Sequence, residues 1–400
     1  MNRAGTATIL LLVVFSQIIS AQSSTKDDDG LPLPPSAQAV LDSFDKPLHP
    51  VIGGVAPSGG MGGGIGYTTP KGDDWFRNIE GRFTVNKYWW LVAETGRQTQ
   101  RSRVGVFAQS RDMNRLDFFG LGPNSSRDNW TNFALRETVA GVRGWVRATN
   151  MIRVGGSAQY YAPTVSRGHA AAVPSIEQLF SPEKIPGLDA QPNFGRFRGY
   201  AELQYPVKVS PRKEGAITDS YQGTYQIAVE SNRDTDHGRY NFNRVETEVL
   251  QRFPGFRPGH RFSLHGLVAL TNEDSVVPFF MQYSLGGGGG LNAFRPDHIG
   301  IDGTKATLRS FHNYRFRDRD ILLTQAEYRF PILEAVHMSV FADGGRVAPT
   351  ASTLFDGGLK AGTGFSLSYM RKGAPLARID IGYGSGEGMH FLWSFGGFFQ

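Results

Sequence analysis

The chain has 400 residues, with 50 glycines, 28 phenylalanines, 14 tyrosines, 6 tryptophans and no cysteine, which excludes disulfides and thiolate metal sites and suits many strands joined by tight turns. The 42 basic residues are interspersed with 36 acidic ones for a net charge of +6, which leaves no patch of the kind nucleic acid requires. Beyond residue 21 no apolar run approaches the roughly eighteen residues that a membrane helix needs, so membrane crossing would fall to strands.

Arg3 followed by an apolar core from Ala7 to Ile19, then Ser20-Ala21, reads as a secretory signal peptide over residues 1–21. Residues 22–49, with Asp27-Asp28-Asp29 and Leu31-Pro32-Leu33-Pro34-Pro35, read as a periplasmic linker too short to bury a core of its own. From residue 50 to residue 400 the recurrent pattern is alternation with period two, which sends one set of side chains to lipid and the other to a lumen.

Strands are predicted at 50–57, 60–69, 75–85, 88–97, 101–112, 131–148, 151–161, 195–206, 221–231, 240–253, 260–271, 320–330, 336–343, 358–370, 376–384 and 389–399. The expected fold is therefore all-β, a transmembrane antiparallel barrel of about 16 strands. A soluble sandwich fits the alternation locally; the signal peptide and the aromatic last strand, with Phe391, Trp393, Phe395 and Phe399 on one face, favour the barrel. Connections alternate as a barrel requires: 113–130, 162–194, 272–319 and 344–357 are long and fall on one side, while the opposite side receives short turns, 207–220 excepted.

The second half resembles the bacterial surface-antigen outer-membrane barrel family, of the BamA and TamA type. The resemblance rests on Pro278-Phe279-Phe280, Leu285-Gly286-Gly287, Leu308-Arg309-Ser310-Phe311, Arg315-Phe316-Arg317-Asp318, Glu327-Tyr328-Arg329-Phe330-Pro331 and Phe341-Ala342-Asp343-Gly344-Gly345, with Phe118-Phe119-Gly120-Leu121-Gly122 in an earlier loop. It implies that the 272–319 loop folds back into the lumen with Arg309 near its tip, Ser310 replacing the family's tip glycine and placing a Cβ where that turn wants positive φ. Arg295, in Leu291-Asn292-Ala293-Phe294-Arg295, is a second and less well matched tip. It also implies an integral outer-membrane protein that assists insertion or translocation of proteins or other cargo without covalent catalysis. The family's periplasmic POTRA domains are not expected in residues 22–49.

Strand parity alone turns Phe341 and Asp343 inward, and the resemblance brings Arg309, Phe311 and Gly345 to them as a loop–lumen functional pair. Gly62, Gly63 and Gly64 near the start and Gly396 and Gly397 near the end mark a weak seam where the first strand meets the last; tight curvature explains the same glycines. Gly286 to Gly290 lacks the Lys-Ser or Lys-Thr pair of a phosphate cradle. No histidine spacing suggests a metal, and Ser263 and His265 share a lumenal face with no evident acid partner. No cofactor is expected; the expected partners are outer-membrane lipid and periplasmic, membrane or client proteins, with no nucleic acid. A passive diffusion channel is the main alternative and a barrel hydrolase a lesser one.

Overall fold

The computed structural model describes residues 43–205 apart from 71 and 73, and then 221–287, 308–371 and 374–395. One antiparallel sheet runs in sequence order through β1 (Leu48–Ile52), β2 (Gly62–Thr68), β3 (Trp75–Thr84), β4 (Trp89–Gln98), β5 (Ser102–Phe118), β6 (Thr131–Arg147), β7 (Ile152–Arg167), β8 (Phe194–Tyr205), β9 (Gln222–Asp234), β10 (Phe242–Pro254) and β11 (Arg261–Thr271). It continues through β14 (Asp320–Leu333), β15 (Val336–Ala348), β16 (Lys360–Arg371), β17 (Ala374–Gly384) and β18 (Gly388–Phe395). The intervening β12 (Tyr283–Leu285) and β13 (Phe316–Asp318) pair only with each other.

The sixteen wall strands correspond one for one with the sixteen read from the sequence. Boundaries differ where hydrogen bonding outlasts the apolar alternation: β5 runs on to Phe118, β7 to Arg167 and β15 to Ala348. The first strand ends at Ile52 rather than at residue 57, because Gly53 turns to φ 150° and Pro57 has no amide hydrogen to donate.

Burial is inverted relative to a soluble sandwich. Along β10 and β11 the exposed or half-buried set is Val245, Val249, Leu264 and Val268, while Glu246, Glu248, Ser263 and His265 are buried. The same parity holds on β15, where Val340 is exposed and His337, Ser339, Phe341 and Asp343 are buried. An apolar face outside and a charged face inside is what a wall between lipid and a lumen requires.

The loop between β11 and β14 lies inside the curl of this sheet. Asn313 Nδ2 donates to Ser58 Oγ between β1 and β2 (3.3 Å), and Arg315 Nη2 donates to the Ser125 carbonyl between β5 and β6 (2.9 Å). Arg244 Nη2 of β10 donates to the Met281 carbonyl (3.0 Å), and Arg315 pairs with Glu387 between β17 and β18. One segment therefore reaches from the beginning of the sheet to its end. Among the described residues β1 and β18 are the two sheet edges.

The two ends of the wall differ. The long connections gather over an aromatic cap in which Phe279 meets Phe118 (ring centroids 5.4 Å) and Phe133 (4.9 Å). At the short-turn end an outward belt runs from Tyr205 through Tyr221, Phe253 and Phe262 to Tyr328 and Phe330, with Tyr221 and Phe253 centroids 5.1 Å apart. Amphipathic rings at that level suit a membrane–water boundary. The predicted signal peptide, most of the linker and the exceptional 207–220 connection lie outside the described residues.

Candidate functional site: the loop tip and its seat

Two glycines set the direction of the loop as it leaves β12. Gly286 and Gly287 have φ of 127° and 92°, and a Cβ on Gly286 would stand 2.0 Å from the His312 carbonyl oxygen. The chain thereby lies against the returning tip, where the Gly287 amide donates to the Phe311 carbonyl (3.1 Å). Left-handed φ among the described non-glycine residues is confined to Ser58, Lys87 and Tyr314. Ser310 is not among them, so the expected conflict at its Cβ does not arise.

The space that a tip glycine would have provided comes from the facing wall. A Cβ on Gly362 would lie 2.3 Å from Ser310 Cβ, one on Gly382 2.8 Å from the Arg309 carbonyl oxygen, and one on Gly384 2.2 Å from the Ser310 carbonyl oxygen. These inward positions on β16 and β17 form a smooth floor for the tip. Gly364 clears the ring of Phe341, whose Cζ would lie 2.5 Å from an added Cβ, and Gly345 clears Leu285 Cδ1 at 2.9 Å.

Arg309 is fully buried on this floor. Its Nε donates to Asp343 Oδ2 (2.8 Å) and its Nη2 to Asp343 Oδ1 (2.6 Å), a two-pronged pair, while the Arg309 backbone amide donates to Oδ2 as well (3.1 Å). Nη1 donates to Glu327 Oε2 (2.5 Å), and the guanidinium carbon stands 3.8 Å from the centre of the Phe341 ring. Glu327 also accepts from Arg378 Nη2 (2.8 Å) and Arg329 Nη2 (3.1 Å), and Arg378 Nε donates to Asp380 Oδ1 (2.8 Å). Phe311 is buried beside Phe316 (centroids 5.4 Å).

Of the residues singled out in the sequence, Arg309, Phe341 and Asp343 are therefore in contact, and Phe311 and Gly345 line the same seat. Glu327 was legible only as part of the motif Glu327-Tyr328-Arg329-Phe330-Pro331, Arg378 and Asp380 only as the polar face of their strand, and the four floor glycines had no assigned role. Their signal was available: Gly362 with Gly364 and Gly382 with Gly384 are two Gly-x-Gly pairs on the inward parity of adjacent strands.

The glycines near the start behave differently. A Cβ on Gly62 would lie 2.5 Å from the Phe83 carbonyl oxygen and one on Gly64 1.8 Å from that of Gly81, so β2 presses against β3. Gly63 is open, with its nearest contact at 3.6 Å. Gly396 and Gly397, and the second tip at Arg295, lie outside the described residues.

His265 does have an acid partner, contrary to the reading of the sequence. Its Nε2 meets Glu248 Oε1 (2.9 Å) and its Nδ1 meets Gln325 Oε1 (2.8 Å). With both ring nitrogens engaged, none is left for Ser263, so the pair is not arranged as a nucleophile and its base. Off the wall strands, burial pushes the Asp318 carboxyl up to about 6, and burial followed by the neighbouring Arg127 holds His312 below its usual value.

No family model and no curated protein matches the sequence. Among solved structures the chain is similar to BamA from Haemophilus ducreyi lacking POTRA domains 1–3, with 14% identity and TM-score 0.56 over 87% of this chain and 69% of that one. It is also similar to CdiB from Escherichia coli (11% identity, TM-score 0.56, 91% of this chain and 63% of that one). CdiB from Acinetobacter baumannii matches at 8% identity and TM-score 0.51, over 87% of this chain and 58% of that one. The fold is shared with these BamA and CdiB structures, and the chain spans less than two thirds of the length of the CdiB chains.

Proposed function

We propose that the protein is a plugged outer-membrane barrel that assists insertion or translocation of polypeptides and performs no covalent chemistry. The observation that carries this reading is the seat of Arg309: a loop residue held in the lumen by Asp343 and Glu327, over Phe341, on a floor of glycines. A diffusion channel needs an open polar bore, whereas here segments 275–287 and 308–318 cross the lumen between opposite sides of the wall. Two discrete states, tip seated and tip released, are what such a buried, multiply bonded contact supports. The short β1, five residues long and followed by the glycines of β2, is the part of the wall that opens at least cost.

In planar bilayers the intact protein is expected to pass little current, and deleting residues 288–319 should open a large steady conductance. A large steady conductance in the intact protein would favour the porin reading instead. Depletion of the protein should reduce the amount of a specific set of polypeptides in or beyond the outer membrane; an unchanged envelope proteome with altered uptake of small solutes would also point to a channel.

A further inference from the structure

Below the Arg309 seat, toward the short-turn end of the lumen, the wall carries cations without matching anions. Arg252 of β10, Arg261 of β11 and Arg329 of β14 all have inward parity: Arg252 pairs in register with Ser263, Ser263 with Glu327, and Arg261 directly with Arg329. Their outward neighbours Phe253, Phe262 and Tyr328 belong to the aromatic belt, which puts the three guanidiniums at the level of the lumen mouth and away from lipid. The three act on one another electrostatically, and His337 of β15 lies within the field of Arg329 and Arg261.

Like charges directly opposed across two strands destabilise the pair, so Arg261 facing Arg329 needs an account. The nearest carboxylate, Glu327, is already shared among Arg309, Arg378 and Arg329, and Glu248 is held by His265. Arg252 and Arg261 have no hydrogen bond or ion pair among the described residues, while Arg329 Nε and His337 Nδ1 are buried without a partner. His337 is 3% exposed, whereas the three arginines are half-buried and so remain open to the lumen. A fork of planar donors that is partly desolvated and short of acceptors is suited to carboxylates.

We infer that Arg252, Arg261, Arg329 and His337 form a binding site for an acidic peptide segment entering the lumen from the short-turn end. The inward parity favours a water-borne ligand over a lipid headgroup, and several guanidiniums spread over three strands favour a run of carboxylates over a single one. The inference stands on the lumen geometry and does not depend on whether the protein translocates polypeptides.

The test uses the full-length protein in detergent micelles with a fluorescein-labelled hexaglutamate, read by anisotropy, and an equally labelled hexaglutamine as the neutral probe. Hexaglutamate should bind saturably and hexaglutamine should not, with the affinity weakening steeply as salt is raised. The double variant Arg252→Gln/Arg261→Gln should lose at least about tenfold in affinity, on the scale of a lost charge-assisted contact. Gel mobility before and after heating establishes that this variant is folded, and Arg252→Lys/Arg261→Lys, which keeps the charge, should recover part of the binding. Unchanged affinity in the folded double-glutamine variant would overturn the site. Displacement of the probe by phosphatidylglycerol added to the micelles at concentrations far below those at which unlabelled hexaglutamate displaces it would overturn the assignment to peptide and assign the cluster to headgroups.

Discussion

The wall facing the loop tip and the wall at the sheet's beginning are both rich in glycine, yet they use it for opposite ends. On β16 and β17 Gly362, Gly382 and Gly384 are inward, and the space their missing side chains leave is filled by another part of the chain, Arg309 to Phe311. On β2 they bring one strand close to the next, with Gly62 and Gly64 pressed on the β3 backbone and nothing from the loop tip laid over them. The first arrangement is tied down by four carboxylate–guanidinium contacts of Arg309 and Arg378; the second ends in a five-residue edge strand. A glycine cluster in a barrel therefore has no single meaning, and what lies within reach of its missing Cβ decides the reading.

The largest effect is expected from Gly384→Val. A side chain there must occupy the position of the Ser310 carbonyl, 2.2 Å from the Cβ, so the tip is expected to leave its seat entirely. Bilayer conductance and protease cleavage between residues 308 and 318 should both rise sharply. Wild-type behaviour in both assays would mean that the tip does not rest on this floor in solution.

A smaller but still large effect is expected from Arg309→Ala. Removing Arg309 leaves the buried Asp343 carboxylate without its guanidinium, while Glu327 keeps Arg378 and Arg329, at a cost of about 3–5 kcal/mol to loop seating. Arg309→Lys should recover only part of it, since a single ammonium cannot reproduce the two-pronged contact with Asp343. If alanine and lysine behave alike, charge is irrelevant at this position and packing alone holds the tip.

A moderate effect should follow from acidity. Asp318 sits on β13, outside the wall, with its carboxyl raised by burial from 3.8 to about 6. The folded loop thus prefers the protonated acid, so this contribution to stability is full below the unfolded value and is lost as pH rises through the folded one. His312, lowered by burial, acts in the reverse sense, losing stability as pH falls below its ordinary value. Protease protection of the loop in Asp318→Asn and parent should therefore diverge between about pH 4 and about pH 6 and run parallel above that, the variant gaining most at the higher pH. Parallel profiles for the two proteins would remove Asp318 from the account.

The smallest change is expected at the sheet's beginning. Gly63→Ala adds a methyl whose nearest contact is 3.6 Å away, and its effect on the heat-modified gel transition should lie within about 0.5 kcal/mol. A loss comparable to that of Gly384→Val would show that the two glycine regions are equivalent after all.

Much of this molecule was legible before any coordinates, and the reason is the bilayer itself. Lipid on one side and a polar lumen on the other impose period two on every strand, so the number of wall strands, the inward face of Asp343 and the outward face of Val340 all follow from parity. Parity says which way a side chain points but not what comes to meet it. That Arg309 would have two carboxylate partners, that Glu327 would be shared by three arginines, and that His265 would be held by Glu248 and Gln325 depend on which strands the curl of the sheet and the returning loop bring together. Arg309 and Asp343 are 34 residues apart, and Arg378 and Glu327 are 51 apart, separations over which local pattern carries no information. The alternation was written into each strand; the pairing of charges inside was decided only when sixteen strands curled around one loop.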